Sequence, residues 1–388
     1  MLVINDFFVR YKEAVSNQME LISKANNAKI ISATRFMGQQ AMQKEDIKDN
    51  IYVYSPIKYI FQAIKETYKA KRERVHVFEE EPCLWKRFLF NRTGNPLYIS
   101  MYRRPTKKYS RHLKKYKNLK KVFVELPQHK QLLVEYGIDE KKIEVTPTPS
   151  KIERKKSNKE YNPDNVNIVF ASWNNKEGNA IKERGLEYLL ELLKENPNYT
   201  LTIPLRDNDT KNFNAIAKEK GVYDRVKLLE IHNNTQTLTQ LFDDSDFVAF
   251  VPQKRIVKDV PNSLIDGLVR GKPVIISDVI DFSQEVKKYG IGIVVPGGEK
   301  AKKLTIDKEN YIKLSERAYE YSDRNSNEHY LNIIQNSYNL KKEEKTLKGR
   351  IKVDSKKCKR QLIQKENEIK RDEVEKDENS DSKYLGDI

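Results

Sequence analysis

The sequence is poor in the residue types that build disulfide frameworks and metal clusters. Its two cysteines, Cys83 and Cys358, lie far apart, and Cys358 falls in a charged segment, so no disulfide framework is predicted. The five histidines show no ligand spacing, so no metal site is predicted either. The chain also lacks an apolar run of about 20 residues and a secretory signal, which predicts a cytoplasmic protein, soluble or peripheral to a membrane.

Apolar residues are scarce as well, at 38%, because Asp, Glu, Lys and Arg make up 33% of the chain. Part of this charge lies in 341–388, a mixed-charge segment with little to bury, which we expect to form a solvated and disordered tail. The chain is long enough for two domains with cores of their own. The formal net charge of +17 predicts an anionic partner: a nucleotide, a nucleic acid, an acidic glycan or lipid headgroups.

The most informative local pattern is 260–277, VPNSLIDGLVRGKPVIIS, which predicts a helix, a tight turn and a buried strand of a parallel sheet. Gly271 stands where a left-handed helix end is wanted. Asn262, Ser263 and Asp266 cluster near the helix start, where free N–H groups and the helix dipole favour an anion. The pattern therefore predicts that a phosphate group docks here.

Residues 261–275 resemble the PN-x-x-x-EA-x-x-x-G-x-PVI signature of family 4 nucleotide-sugar-dependent glycosyltransferases, which have the two-domain GT-B architecture. In that family two glutamates bracket this helix start, and they contact the transferred sugar and the ribose of the donor. Asp266 stands at the ribose position. Lys258 stands at the sugar position and reverses the charge, so the resemblance implies a degenerate donor motif with Lys258 near the sugar or the phosphate.

A second resemblance lies in VHVFEEEP, residues 75–82, which is similar to the end of a strand in the N-terminal domains of the same family. Open parallel sheets bind ligands at this carboxyl edge. The resemblance implies that Glu80 and Glu81 face the acceptor and contact its hydroxyl groups. The competing interpretation is a solvated acidic loop. The N-terminal loop Phe7–Arg10 lacks the glycines that the family usually has at this point.

The second half contains KERGLEYLLELL, which predicts a helix with its leucines on one face. In the family a Gly-Arg pair and a Lys-Gly pair neutralise the diphosphate of the donor. Arg184 and Gly185 match the second pair, with arginine in place of lysine, whereas Ser172 and Trp173 replace the first. We therefore expect Arg184 and Gly185 to bind the diphosphate, and Arg206 to make a further phosphate contact.

A strongly basic stretch, 103–121, contains ten Lys or Arg residues and no acid. Tyr109, Leu113 and Tyr116 recur at helical spacing, which predicts a basic amphipathic helix. This helix has three interpretations. It packs its tyrosine face on the domain and presents lysines to water, it attaches to an anionic membrane surface, or it binds single-stranded nucleic acid.

The resemblance implies an α/β protein of GT-B fold with two facing, doubly wound, Rossmann-like domains, a cleft between them and a charged C-terminal tail. The expected parts are an acceptor-side domain at 1–150, a linker at 151–165, a nucleotide-sugar-binding domain at 166–310, C-terminal helices at 311–340 and a tail at 341–388.

The implied activity is transfer of a sugar from a nucleoside diphosphate sugar to a glycan, lipid-linked or protein acceptor, with retention of configuration. Basic side chains and a helix dipole would stabilise the departing diphosphate, so neither a metal nor a cofactor is expected. Two alternatives remain open. One is a catalytically silent GT-B scaffold or partner subunit, and the other is a protein that binds nucleic acid or an anionic membrane surface through 103–121.

Overall fold

The structure is a computed structural model of the whole chain. It describes residues 1–6, 14–33, 50–78, 83–172, 181, 183–205, 211–230, 235–255 and 259–339. Residues 1–333 form one compact unit, and a second unit begins at residue 334. The expected tail lies outside the described residues. So do four of the predicted site residues: Glu80, Glu81, Arg206 and Lys258.

Sheet A is built from the first part of the chain. Its strands are β1 Leu2–Asn5, β2 Lys29–Ala33, β3 Ile51–Tyr54, β4 Val75–Phe78, β5 Leu97–Met101, β6 Leu119–Val124 and β7 Ile143–Val145. They pair in parallel in the order β3-β2-β1-β4-β5-β6-β7. The strand order reverses between β1 and β4, which places a ligand crevice at the carboxyl ends of those two strands.

Sheet B follows the same plan in the second part of the chain. Its strands are β8 Val166–Val169, β9 Tyr199–Leu205, β10 Val226–Glu230, β11 Phe247–Phe250, β12 Val274–Ser277 and β13 Gly292–Val295. They pair in parallel in the order β10-β9-β8-β11-β12-β13. Here the order reverses between β8 and β11, and the corresponding crevice lies at their carboxyl ends.

Helices connect the strands of both sheets. Around sheet A they are α1 Ala14–Asn26, α2 Pro56–Lys69, α3 Leu84–Thr93, α4 Lys107–Leu113 and α5 Pro127–Glu135. Around sheet B they are α6 Leu186–Glu195, α7 Lys211–Glu219, α8 Thr235–Asp243, α9 Asn262–Leu268, α10 Phe282–Tyr289 and α11 Lys308–Tyr321. Short 3₁₀ turns occupy Glu140–Lys142, Tyr223–Arg225 and Ser322–Asn325, and residues 327–339 are helical.

Each sheet is covered on both faces, which explains why its central strands carry runs of apolar residues. All four residues of β1, β4, β11 and β12 are buried. The predicted helix, turn and strand of 260–277 are confirmed as α9, a turn and β12. Gly271 ends the helical stretch with φ +73°, the left-handed conformation expected of it.

The basic stretch 103–121 departs from its prediction. Only α4 is helical, and β6 already begins at Leu119, so one continuous amphipathic helix was wrong. Tyr109, Leu113 and Tyr116 are nevertheless buried in the core of sheet A. Of the three interpretations, the packed tyrosine face is the one that the structure supports.

Among the described residues, no helix is long and apolar enough to cross a bilayer.

Candidate active site at the carboxyl edge of sheet B

The crevice of sheet B is formed by the segments that leave β8 and β11. The described part of the segment after β8 includes the buried Ser172, and the segment after β11 passes through Val251 and Pro252. Helices α6 and α9 both start beside these segments. Parallel strands flanked by helices present their carboxyl ends and the helix N-termini at one edge, so this edge gathers the partial positive charge that an anionic ligand needs.

Gly185 fixes how closely α6 approaches β11. It caps α6 with φ +85°, and a Cβ added there would lie 1.8 Å from the carbonyl oxygen of Val251. Any side chain would therefore push the helix start away from the strand end, in addition to straining the backbone. The glycine predicted from sequence as a diphosphate contact is thus required for local packing, and it keeps the amide end of α6 at the crevice.

Arg184 lies next to this glycine and is held at the crevice. Its Nη1 donates a hydrogen bond to the carbonyl oxygen of Ser172 at 2.9 Å, across the gap between α6 and the end of β8. The side chain is half-buried. A cation at the start of a helix opposes the helix dipole unless an anion is near. Arg184 is therefore positioned to meet an anionic group at this edge.

The start of α9 joins the same cluster. The Ser263 hydroxyl lies 3.1 Å from the Ser172 hydroxyl, so the first turn of α9 contacts the end of β8. Asn262 is its neighbour in the same turn. The structure thus brings together two patterns that the sequence predicted separately, Arg184 with Gly185 and Asn262 with Ser263.

Asp266 forms hydrogen bonds with the segment that follows β7. It is buried, and its Oδ1 accepts hydrogen bonds from the Ser150 hydroxyl at 2.8 Å and from the Lys151 amide at 3.0 Å. Its carboxylate therefore ties the segment between the two sheets to α9. The ribose role that the sequence predicted for Asp266 stays a prediction, and it would require this carboxylate to serve two purposes.

A cavity of about 1080 Å³ opens beside Gly185. Its α6 side presents Glu183, Glu187 and Glu191, and the loops after β11 and β13 contribute Lys254, Arg255, Gly298, Glu299 and Lys300. Gln253 joins those loops: its Nε2 donates to the Val251 carbonyl at 2.9 Å, and its Oε1 accepts from the Gly298 amide at 2.8 Å. Cations for phosphate oxygens and carboxylates for sugar hydroxyls thus line one cavity.

A buried polar cluster lies between elements of the two sheets, and the sequence did not predict it. His129 on α5 places its Nε2 3.4 Å from Asp259 Oδ2 and 3.3 Å from Asp281 Oδ2. Arg255 Nη2 contacts Oδ1 of Asp259 at 2.9 Å and Oδ1 of Asp281 at 2.8 Å. Arg104, which follows β5, reaches the same Asp281 oxygen at 2.8 Å. We call these five residues the interdomain ion cluster.

The interdomain ion cluster shifts the pKa of two of its members. Burial lowers the pKa of His129, but hydrogen bonds with Asp259 and Asp281 outweigh burial, and the net shift is upward. Burial raises the pKa of Asp281, yet hydrogen bonds from His129 and Arg255 bring it down to about 2. The stability that Asp281 contributes is therefore present above its ordinary pKa and is lost as the pH falls towards 2.

Three members of the interdomain ion cluster also have the composition of a cation site. Ligand atoms of His129, Asp259 and Asp281 lie within 4.8 Å of one another. However, both carboxylates already bind guanidinium groups, from Arg255 and Arg104. These positive charges oppose a metal ion, so the donor set suits an ion-pair network better than a metal centre.

The carboxyl edge of sheet A presents a smaller polar group. Asp6, directly after β1, accepts hydrogen bonds from the Tyr59 hydroxyl at 3.1 Å and from Lys86 Nζ at 2.8 Å. The Lys86 side chain is fully buried, so this pair is fixed in place. It lies beside the strand whose continuation contains Glu80 and Glu81, which are outside the described residues.

Two parallel-sheet α/β domains with this strand order define the GT-B fold of glycosyltransferases, and solved structures share it. The chain superposes on the lipopolysaccharide outer core galactosyltransferase WaaB, apo form, with a TM-score of 0.60 and 13% identity over 88% of this chain and 99% of that one. For HepE of Anabaena in complex with UDP and glucose the TM-score is 0.66, with 11% identity over 87% and 99%.

A glycosyltransferase from Rickettsia africae gives a TM-score of 0.63 and 17% identity, over 87% of this chain and 98% of that one. At such identities the likeness shows the fold. No protein-family model and no curated protein sequence matches the chain.

Proposed function

We propose that this chain is a glycosyltransferase that moves a sugar from a nucleoside diphosphate sugar to an acceptor. The observation that carries the proposal is the meeting of Arg184, Gly185 and Ser263 at the crevice of sheet B, within a GT-B fold. This edge combines a cation, a helix N-terminus and hydroxyl donors, which are the groups that bind a diphosphate. The adjoining cavity has room for the rest of a nucleotide sugar.

The roles follow from these positions. Arg184, the amide end of α6 at Gly185, and the first turn of α9 with Asn262 and Ser263 would hold the diphosphate. They would also stabilise its negative charge as the glycosidic bond breaks, so no metal ion is required. Lys258 and Arg206, which lie outside the described residues, would add charge at the sugar or the phosphate, a role that rests on the sequence alone.

The remaining assignments rest on the family 4 resemblance of the sequence. Glu80 and Glu81 would contact the acceptor hydroxyls, Asp266 the ribose, and transfer would proceed with retention of configuration. The acceptor is a glycan, a lipid-linked glycan or a protein. Because the HepE structures contain UDP or UDP-glucose, uridine donors are the first to test.

The test is thermal unfolding with a panel of nucleoside diphosphates and their sugars. A ligand present at about 100 times its dissociation constant stabilises the native state by roughly 2.7 kcal/mol. We expect one base to raise the unfolding temperature in the wild type. Arg184→Ala should lose this shift, whereas Arg317→Ala, which removes an exposed arginine from α11, should keep it. If no nucleotide changes the unfolding temperature, the donor site does not exist.

A second candidate is a catalytically silent GT-B subunit, and Asp266 favours it. Its carboxylate is engaged with Ser150 and Lys151, while Lys258 reverses the charge of the other motif position. Such a subunit can retain donor binding without turnover. Release of nucleoside diphosphate from the bound donor in the presence of acceptor separates the two, because only the enzyme releases it.

A further inference from the structure

Helix α2 presents large apolar side chains to solvent. Ile57 is 74% exposed, Phe61 68% and Tyr68 45%. Positions 57, 61 and 68 follow the helical repeat, so these side chains lie on one face. The opposite face is also apolar and already packs in the core of sheet A through Tyr59 and Ala63. Packing within sheet A therefore does not account for the outer face.

Helix α3 repeats this feature beside α2. Leu84 and Phe88, one turn apart, are each 68% exposed, although Leu89 and Phe90 of the same helix are buried. The Tyr59 and Trp85 rings meet edge to face with centroids 5.8 Å apart, so the two helices are neighbours. Exposed apolar side chains on two adjoining helices make a surface of the kind that marks an interaction site.

The charge on this surface has one sign. Lys58, Lys65 and Lys69 lie on the exposed face of α2, and Arg92 continues the Leu84 and Phe88 row of α3. Within α2 and α3, both described in full, the sole acid is Glu66, which is mostly buried and lies 2.8 Å from Lys29 Nζ and 3.5 Å from Lys69 Nζ. We call these exposed residues the apolar-basic face: Ile57, Lys58, Phe61, Lys65, Tyr68, Lys69, Leu84, Phe88 and Arg92.

We propose that the apolar-basic face docks on an anionic lipid surface. Apolar tips that enter the headgroup region and lysines that reach up to phosphate groups are the two contacts by which amphipathic helices hold such a surface. Nucleic acid fits the face less well, because aliphatic Ile57 and Leu84 cannot stack on bases. A second copy of this chain fits less well too, since a symmetric contact would oppose Lys58, Lys65 and Lys69 to themselves.

The apolar-basic face lies near the proposed acceptor site, so the inference in this paragraph rests on the proposed function. Helix α2 begins two residues after β3 ends, and α3 begins six residues after β4 ends, so Ile57 and Leu84 lie in first turns near the carboxyl edge of sheet A. The proposed acceptor site is at that edge. A chain docked through this face would present its acceptor site to the membrane, which favours a lipid-linked acceptor.

Co-sedimentation with phosphatidylcholine vesicles, with or without phosphatidylserine, tests the docking in the absence of nucleotide. We expect the full chain to bind the anionic vesicles, and F61S/F88S to lose about tenfold or more of its affinity, because two aromatic side chains no longer leave water. I312S, which changes another exposed apolar residue, 43% exposed on α11, should bind like the wild type.

Two variants that lose the same number of lysines distinguish binding through the apolar-basic face from attraction by the net positive charge of the chain. K58Q/K65Q/K69Q should weaken vesicle binding, whereas K107Q/K108Q/K115Q, which removes as many exposed lysines from 103–121, should leave it nearly unchanged. Equal loss in both variants, or no vesicle binding by the wild type, would overturn the proposal.

Light scattering without lipid tests whether a second copy of the chain occupies the apolar-basic face instead. A dimer that F61S/F88S converts to a monomer would assign the face to a second copy and overturn the lipid proposal. Nucleotide-dependent thermal unfolding of the same variants keeps the two proposals separable. A variant that loses vesicle binding but keeps its nucleotide shift affects docking alone, and a wild type that binds vesicles but no nucleotide contradicts the proposed function alone.

Discussion

Two glycines with the same backbone conformation meet different surroundings. Gly185 has φ +85° and faces the Val251 carbonyl, whereas Gly221 has φ +69° and nothing within 4 Å of its would-be Cβ. We expect Gly221→Ala to cost about 1 kcal/mol through backbone strain alone. Gly185→Ala should cost several times more, since α6 must move away from β11, and it should also weaken nucleotide binding.

Urea unfolding of both variants measures this difference, and nucleotide-induced thermal shifts measure the effect on the site. Equal stability losses would show that the close approach of α6 to β11 contributes nothing beyond the strain of the left-handed conformation.

His129 and His76 should make the stability of the fold depend on pH in opposite directions. A pKa raised in the folded state means that His129 stabilises the fold below its unfolded pKa and loses this contribution as the pH rises through its folded pKa. The destabilisation caused by His129→Gln should therefore be larger at acidic than at alkaline pH.

His76 provides the control for that experiment. It is buried beside Ser100 Oγ, 2.8 Å away, and burial lowers its pKa to about 3. In the folded state His76 is neutral. The fold therefore loses stability as the pH falls below the pKa that His76 has in the unfolded chain. Denaturant unfolding of His76→Gln across the same pH range should show the opposite trend. If the loss in His129→Gln does not vary with pH, the raised pKa of His129 is wrong.

Helix α9 is anchored to the segment that joins the two sheets, and this contact can be separated from donor binding. Asp266→Ala and Ser150→Ala each remove the buried hydrogen bond of 2.8 Å, at an expected cost of about 1–3 kcal/mol. Because both changes remove the same contact, their double variant should lose less than the sum of the two single losses.

Donor binding then distinguishes the two roles of Asp266. If its role is to anchor the segment, both single variants keep the nucleotide shift once their lower stability is taken into account. If Asp266→Ala alone abolishes the shift, the ribose role predicted from sequence is correct and the anchoring is secondary.

Most elements around the two crevices could be predicted because their patterns agree with their burial. Buried parallel strands such as β1 and β12 begin with three apolar residues in a row. Helix α3 was not predicted, and its solvent side carries the apolar Leu84 and Phe88. The same two residues belong to the apolar-basic face that we propose docks on lipid.

The candidate site was predictable only where its residues adjoin in sequence. Arg184 with Gly185, and Asn262 with Ser263, form short patterns, and the fold brings the two pairs together. His129, Asp259 and Asp281 form no sequence pattern, because more than a hundred residues separate the histidine from either carboxylate. Only the packing of elements from the two sheets reveals that contact.

At the scale of the whole molecule, the GT-B fold has two crevices, one on each sheet. The proposed function requires one crevice to bind the donor and the other to bind the acceptor. Sheet B holds Arg184 and the helix starts that suit a diphosphate. Sheet A holds the Asp6 and Lys86 pair beside the strand that leads to the predicted acceptor residues. We therefore predict that the donor binds only at the crevice of sheet B.

The most direct test is a crystal structure grown with the nucleoside diphosphate that gives the largest thermal shift. We predict that the diphosphate contacts the Arg184 guanidinium and the first turn of α9, with the nucleoside in the cavity beside Gly185. A nucleotide bound at the carboxyl edge of sheet A, or away from both crevices, would contradict the central claim.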